Sequence, residues 1–219
     1  MLIHAVVEAM TPVRDAFTAL WPECEVHHLL DSSLSADLAA DGGVLGGGMV
    51  ERFRALARYA ARPAEGERAA DGILFTCSAF GPAIEAAARA VTLPVLKPNE
   101  AAFEEALGRG PRIGLVVTFE PSLRPMMVEL RHAMAQRGVA QEPAGVVVNG
   151  AFAALRAGRT GEHDARIADA VAGLPPLDAV ILGQFSMAAA APAVRQRTAT
   201  PVVTTPESAV KKLKALLQA

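Results

Sequence analysis

Short apolar runs alternate with longer mixed stretches along the whole chain. IHAVV (3–7), GILFT (72–76), RIGLVV (112–117) and AVILG (179–183) are bounded by polar residues, glycine or proline. That is the pattern of strands covered on both faces. Between them, VERFRALARYAA, PAIEAAARAV, RPMMVELRHAMAQRG and DARIADAVAG carry the spacing of amphipathic helices. The βα alternation predicts a parallel, doubly wound α/β fold.

The pattern also repeats. DGILFTCSAFGPAIEA aligns without a gap on DAVILGQFSMAAAAPA, and LPVLKPNEAAFEEAL on TPVVTTPESAVKKLK, both at an offset of 107 residues. Near the start, LIHAVVEAMTPVR matches RIGLVVTFEPSLR at an offset of 110. Three ordered matches, two at one offset, point to a duplicated unit rather than to chance. Two similar α/β lobes are therefore expected, meeting near residues 97–110 and again near 204–207. This assigns 1–97 plus 206–219 to an N-terminal lobe and 98–205 to a C-terminal lobe. Open α/β sheets bind ligands beyond the carboxyl ends of their strands. Cys77 and Gln184, equivalent by the repeat, should then face one cleft, on the order of 10 Å or less apart when closed.

Candidate chemistry centres on Cys77. It follows a strand, and Pro82 suits the first turn of the helix behind it. Backbone N–H groups of Ser78, Ala79 and Phe80 at that helix start could hold a carboxylate or oxyanion. The same field is expected to draw the thiol pKa from about 8.5 toward neutrality. A buried cysteine acting as a small hydrophobe is the plain alternative. Gln184 cannot move a proton but can donate a hydrogen bond to an enolate or carboxylate oxygen, and Ser186 adds a hydroxyl. Thr118, and the loop Ala9-Met10-Thr11, are repeat-related strand ends. Thr118 and Ser122 are candidate carboxylate-binding hydroxyls, with a simple helix N-cap the other role for Ser122. Thr204, Thr205 and Lys97 occupy the crossover strand ends; Lys97 either pairs with a substrate carboxylate or is a solvated surface lysine. Phe80, Phe119 and Phe185 flank strand ends.

Weaker signals are read structurally. GGVLGGGM (Gly42–Met49) lacks the ending of a phosphate loop and is a loop or a lid. His4 belongs to the first strand. His27, His28, His132 and His163 are surface or helix residues, and Glu162-His163-Asp164 is a solvated helix start. Cys24 is structural.

Bulk properties narrow the functions. Of 219 residues, 52% are hydrophobic and 20% charged, enough for a large packed core. A net charge of −2 with scattered basic residues leaves no footprint for nucleic acid. Lys211, Lys212 and Lys214 sit on what reads as the exposed face of a final helix. Two cysteines make no disulfide framework, and no zinc-type spacing occurs. The start MLIHAVVEAM lacks a basic leader, and the longest apolar stretch, broken by Gln184 and Pro192, is too short for a bilayer. A soluble, cytoplasmic protein without membrane partners is expected. Without a GxGxxG fingerprint or a Schiff-base lysine context, no metal, flavin, nicotinamide or pyridoxal cofactor is expected.

On FTCSAFG, RIGLVVTFEPSL, DAVILGQFSM and TPVVTTPESAV, the chain resembles the Asp/Glu racemase superfamily, which also holds hydantoin racemase, maleate isomerase and arylmalonate decarboxylase. The resemblance spans nearly the whole chain. It implies two pseudo-symmetric lobes, each a parallel four-stranded sheet flanked by helices, with the active site between them. It also implies an isomerase that moves a proton, without cofactor, at the carbon next to the carboxylate of a small acid. Family racemases use two cysteines, one per lobe. Cys77 matches the first, and Gln184 stands where the second is expected. Two-base racemisation needs a proton-carrying group on each face, and an amide cannot be one. A single-thiol decarboxylase or lyase, or a non-catalytic carboxylate binder, are the alternatives. A homodimer would fit the resemblance, although no stretch requires it.

Overall fold

The computed structural model describes residues 1–62 and 68–218. Within them the chain builds two parallel four-stranded sheets, each covered by helices on both sides. The first contains β1 (Leu2–His4), β2 (His28–Leu30), β3 (Ile73–Phe75) and β4 (Val95–Leu96), in the order β2-β1-β3-β4. Its connections are α1 (Met10–Leu20), α2 (Ser33–Ala40), α3 (Gly47–Ala61) and α4 (Gly81–Ala88). After α5 (Glu100–Leu107), the second sheet repeats the order as β6-β5-β7-β8. Its strands are β5 (Ile113–Val117), β6 (Ala144–Val147), β7 (Ala179–Leu182) and β8 (Val202–Thr204). Helices α6 (Glu120–Gln136), α7 (Ala151–Arg156), α8 (Thr160–Ala172), α9 (Ala191–Arg195) and α10 (Thr205–Leu217) complete it.

The central strands β1, β3, β5 and β7 are fully buried, which is why their sequences read as apolar runs, broken only by the buried His4 in β1. Edge strands β2 and β6 are exposed or half-buried along their length, although β6 is still apolar in sequence. Helix α6 begins at Glu120, earlier than its periodic stretch suggests, with Pro121 in the first turn and Pro125 inside.

The final helix of each half crosses to the other. Phe103 of α5 packs with Ile113, Leu115 and Ile181 of the second sheet. Val210 and Leu213 of α10 pack with Leu2 and Leu74 of the first sheet. Lys212 bridges these helices through Glu100 (3.3 Å) and Glu104 (2.7 Å), so the lysines of α10 are partnered rather than simply solvated.

In each sheet the chain runs outward in opposite directions from the two middle strands, leaving a switch point between β1 and β3 and another between β5 and β7. Loops leaving the carboxyl ends of such strands diverge and open a crevice. Cys77 follows β3, and Thr118 and Gln184 follow β5 and β7, so topology puts all three at switch points.

Candidate active site

The loop after β3 is a single 3-10 turn, Ser78–Phe80, inserted before α4. Cys77 precedes it with extended backbone (φ −112°, ψ 121°), and the Ala79 N–H reaches the sulfur. The thiol does not move toward neutrality. Burial pushes the Cys77 pKa up to about 11, and the hydrogen bond from Ala79 only partly offsets this. The expected helix field is weak here because α4 itself starts four residues beyond the sulfur. At neutral pH a thiol with that pKa keeps its proton.

Thr76, just before Cys77, is tied down from beneath. Its Oγ1 lies 2.8 Å from Nδ1 of the fully buried His4, whose Nε2 shares a 2.9 Å hydrogen bond with His28 Nδ1. Burial first, and then the neighbouring His28, lowers the His4 pKa to about 4, so this strand histidine is neutral.

In the second half, Gln184 precedes an equivalent turn, Phe185–Ala190. Gly183 brings it into reach of β5. A Cβ at Gly183 would meet Met126 Cε at 2.8 Å, Leu115 Cδ1 at 2.9 Å and the Val116 carbonyl at 3.1 Å. With only hydrogen there, the carboxamide of Gln184 crosses to the β5–α6 turn. Its Oε1 accepts from Thr118 N–H (2.6 Å), Thr118 Oγ1–H (2.7 Å) and Phe119 N–H (3.2 Å). Its Nε2 reaches Ser122 Oγ only at 3.5 Å. Ser122 is the third residue of α6 rather than its N-cap, and it is buried.

The two halves meet at this end. The Ser78–Phe80 turn packs on α6, the helix that follows the Thr118–Phe119 turn holding Gln184. Gly81 admits the Glu129 carboxylate of α6, with which a Cβ there would collide. Lys97 pairs with Glu85 at 2.8 Å and Glu129 at 3.8 Å, which commits it to a contact between the halves rather than to solvent or substrate. Glu8, which the 110-residue offset aligns with Thr118, pairs with Arg156 at 3.4 Å across the same boundary. That ion pair escaped the reading of motifs; its signal was the position of Glu8 in the repeat.

Other residues fall elsewhere. Phe185 is 1% exposed and packs with Phe17 and Leu74 of the first half and with Val210 of the crossing helix α10, so it is core and not a cleft wall. Thr205 opens α10, is fully buried, and turns its hydroxyl to the Leu182 carbonyl at 3.4 Å. Met10 and Thr11 form the first residues of α1 rather than a loop; Met10 is half-buried and Thr11 exposed. Ser78, Ala79 and Ser186 are buried beside the two turns. Phe119 is half-buried, its ring tilted against Phe152 at 6.2 Å. His163 is fully buried rather than solvated: it lies on the inward face of α8 with Ile167 and bonds Asp164 at 2.7 Å. In Gly42–Met49, Gly42 and Gly43 make a positive-φ turn (66° and 81°), and residues from Gly47 begin α3. Position 43 faces Pro121 of α6 at 3.9 Å.

Two cavities lie away from this region. One of about 240 Å³ is lined by Val171, Leu174, Leu177 and Thr198 among others, and one of about 400 Å³ by Leu29, Asp31, Arg52, Ala55, Leu56 and Tyr59. Among the described residues no three His, Cys, Asp or Glu side chains gather as a metal-holding group. No helix among them is long and apolar enough to cross a membrane.

The family model for Asp/Glu/Hydantoin racemase matches residues 47–215. A comparison with curated proteins finds no match. Among solved structures, glutamate racemase isoform RacE1 from Bacillus anthracis superposes with a TM-score of 0.74 at 12% identity, over 99% of this chain and 80% of that one. Aspartate racemase from Picrophilus torridus gives 0.69 at 12% identity, covering 99% and 93%. Allantoin racemase from Klebsiella pneumoniae gives 0.64 at 20% identity, covering 99% and 86%. At such identities the superpositions carry the fold alone.

Proposed function

We propose, for a chain that belongs to the Asp/Glu/Hydantoin racemase family, cofactor-independent proton transfer at the carbon next to the carboxylate of a small acid. Cys77 is the proton-carrying group. Gln184 stands where a second thiol would act, and its role is to hold and orient. The observation that carries this reading is the bonding of Gln184. Its oxygen is fixed by Thr118 and Phe119, which leaves an uncharged amide N–H₂ as the polar group on that side. An amide can donate a hydrogen bond to an enediolate oxygen, but it neither removes nor delivers a proton at carbon. Chemistry then runs on one face of the substrate. The backbone N–H of Ser78, beside the thiol, would receive the negative charge that develops on the carboxylate oxygens, the Ala79 N–H being bonded to the sulfur in the resting site.

A second reading is favoured by the resting state of Cys77. With its pKa near 11 the thiol holds a proton at neutral pH, ready for delivery to a carbanion. Loss of CO2 from a substrate bearing two carboxyl groups on one carbon would generate that carbanion, and the thiol would quench it on one face. Both readings rest on the same residue, as base and then acid in the first and as acid alone in the second. The experiment that tests them is NMR in D2O over small 2-amino, 2-hydroxy and malonic acids, with wild type beside Cys77→Ala. Deuterium entry next to the carboxylate, lost in Cys77→Ala, supports proton transfer by Cys77. CO2 release abolished by the same substitution selects the decarboxylase. No turnover in either form across the panel removes the enzyme reading and leaves a carboxylate-binding protein.

A further inference from the structure

The turn from β5 into α6 contains a small three-donor nest: the Thr118 N–H, the Thr118 hydroxyl and the Phe119 N–H converge on one point. Three converging donors at the start of a 17-residue helix form an arrangement suited to an anionic oxygen. Thr118 is 7% exposed, so an oxygen held there is largely shielded from water. Here the point is occupied by an uncharged oxygen of the protein itself, Oε1 of Gln184, at 2.6, 2.7 and 3.2 Å. Gly183 and its tight fit against Met126, Leu115 and Val116 fix the reach of that side chain.

The geometry points to Gln184 as an internal ligand that fills the anion position of the second half and thereby sets the substrate class. Resting on the proton-exchange reading of the proposed function and not on the decarboxylase reading, this means that the site takes acids with a single carboxylate. That carboxylate lies against the Ser78–Ala79 turn of the first half, and a second carboxylate finds the opposite position already filled. Displacing Oε1 would strip three hydrogen bonds from the amide oxygen, whose remaining Nε2 contact with Ser122 is long at 3.5 Å. Charge-assisted bonds are roughly twice as strong as neutral ones. A vacated nest should therefore capture carboxylate readily, and Gln184 acts as a specificity-determining residue by occupying it.

The test is NMR titration of the full-length ¹⁵N-labelled chain, wild type and Gln184→Ala, with propionate and with succinate, reading the backbone amides of Ala79, Thr118 and Phe119. In wild type, both acids should shift Ala79 with similar affinity and leave Thr118 and Phe119 in place. In Gln184→Ala, succinate should shift Thr118 and Phe119, and its affinity relative to propionate should rise about tenfold or more, a change of about 1.4 kcal/mol. Wild-type Thr118 and Phe119 shifting with succinate as strongly as in Gln184→Ala would overturn the inference. So would Gln184→Ala amides that respond to neither acid. Gln184→Glu gives an independent check if the alanine variant folds poorly. Its carboxyl should titrate well below the usual glutamate range, because the three donors favour the charged form. An ordinary value would also overturn the inference. None of these readouts needs turnover. Exchange that persists in Cys77→Ala, or is absent from wild type, would thus remove the catalytic reading while leaving this selectivity measurable.

Discussion

Phe185→Ala is the substitution whose cost the packing fixes most firmly. The ring is 1% exposed and lies among Phe17, Leu74 and Leu96 of the first half and Val210 of the crossing helix α10, although Phe185 itself follows β7 of the second. Truncation to alanine removes roughly 150 Å² of apolar contact. At about 25 cal/mol per Å² that is about 4 kcal/mol. A well-packed site cannot collapse fully around the loss, which keeps the expected penalty at roughly 3–5 kcal/mol. With a urea m-value of about 2–3 kcal/mol/M, the denaturation midpoint should fall by about 1–2 M. Phe119→Ala is the control, since Phe119 is half-buried against Phe152; its cost should stay near 1 kcal/mol. Equilibrium urea unfolding followed by far-UV circular dichroism reads both. A midpoint within about 0.3 M of wild type for Phe185→Ala, with weakened carboxylate binding instead, would refute the packing argument. It would place the ring on the wall of the cleft.

Three further outcomes follow from the same coordinates. Iodoacetamide should alkylate Cys77 slowly at pH 7, with about 100-fold less thiolate than a thiol of pKa 9.0, and the rate should still be climbing between pH 9 and 11; a plateau below pH 8.5 would contradict this. His4 is neutral in the fold with its pKa near 4 against 6.5 unfolded, so the stability it contributes is present above pH 6.5 and is lost as pH falls toward 4. The full span is about 3 kcal/mol, and His4→Gln should flatten the urea midpoint over that window; an unchanged slope would free His4 of the role. Gly183→Ala should cost about 1–3 kcal/mol, because the new Cβ meets a backbone carbonyl as well as two side chains. It should also shift the Gln184 side-chain amide resonances as the carboxamide loses reach, and unmoved resonances would show that position 183 does not set it.

Much of this architecture is legible in the sequence because the central strands are buried on both faces, which leaves apolar runs broken only at His4. The resemblance supplied the four-stranded count; the edge strand His28–Leu30 is too short to stand out, and Ala144–Val147, though apolar in sequence, is half-buried or exposed along its length. The repeat placed Cys77 and Gln184 at equivalent strand ends, but spacing along a chain says nothing of what a side chain's oxygen meets. The capture of Gln184 Oε1 by Thr118 and Phe119 depends on how closely β7 approaches β5, a distance set by Gly183. Burial misled in the other direction at three positions. His163 sits between two acidic residues and reads as solvated, yet it falls on the inward face of α8. Phe185 and Thr205 flank strand ends and read as lining residues, yet one joins the core of the opposite half and the other turns inward under α10. The thiol's elevated pKa was hidden for the same reason, since desolvation is a property of neighbours distant in sequence.

The claim at the centre is that proton transfer runs on one face, from Cys77 alone. A single enantiomer of an acid that the enzyme exchanges, incubated in D2O and resolved by chiral chromatography with mass detection, tests it most directly. Deuterium accumulating in the starting enantiomer, with the opposite one appearing at less than about a hundredth of that rate, is the predicted result. Deuterated product of opposite configuration forming as fast as exchange would contradict it, and would require a second proton-carrying group on the side that Gln184 occupies.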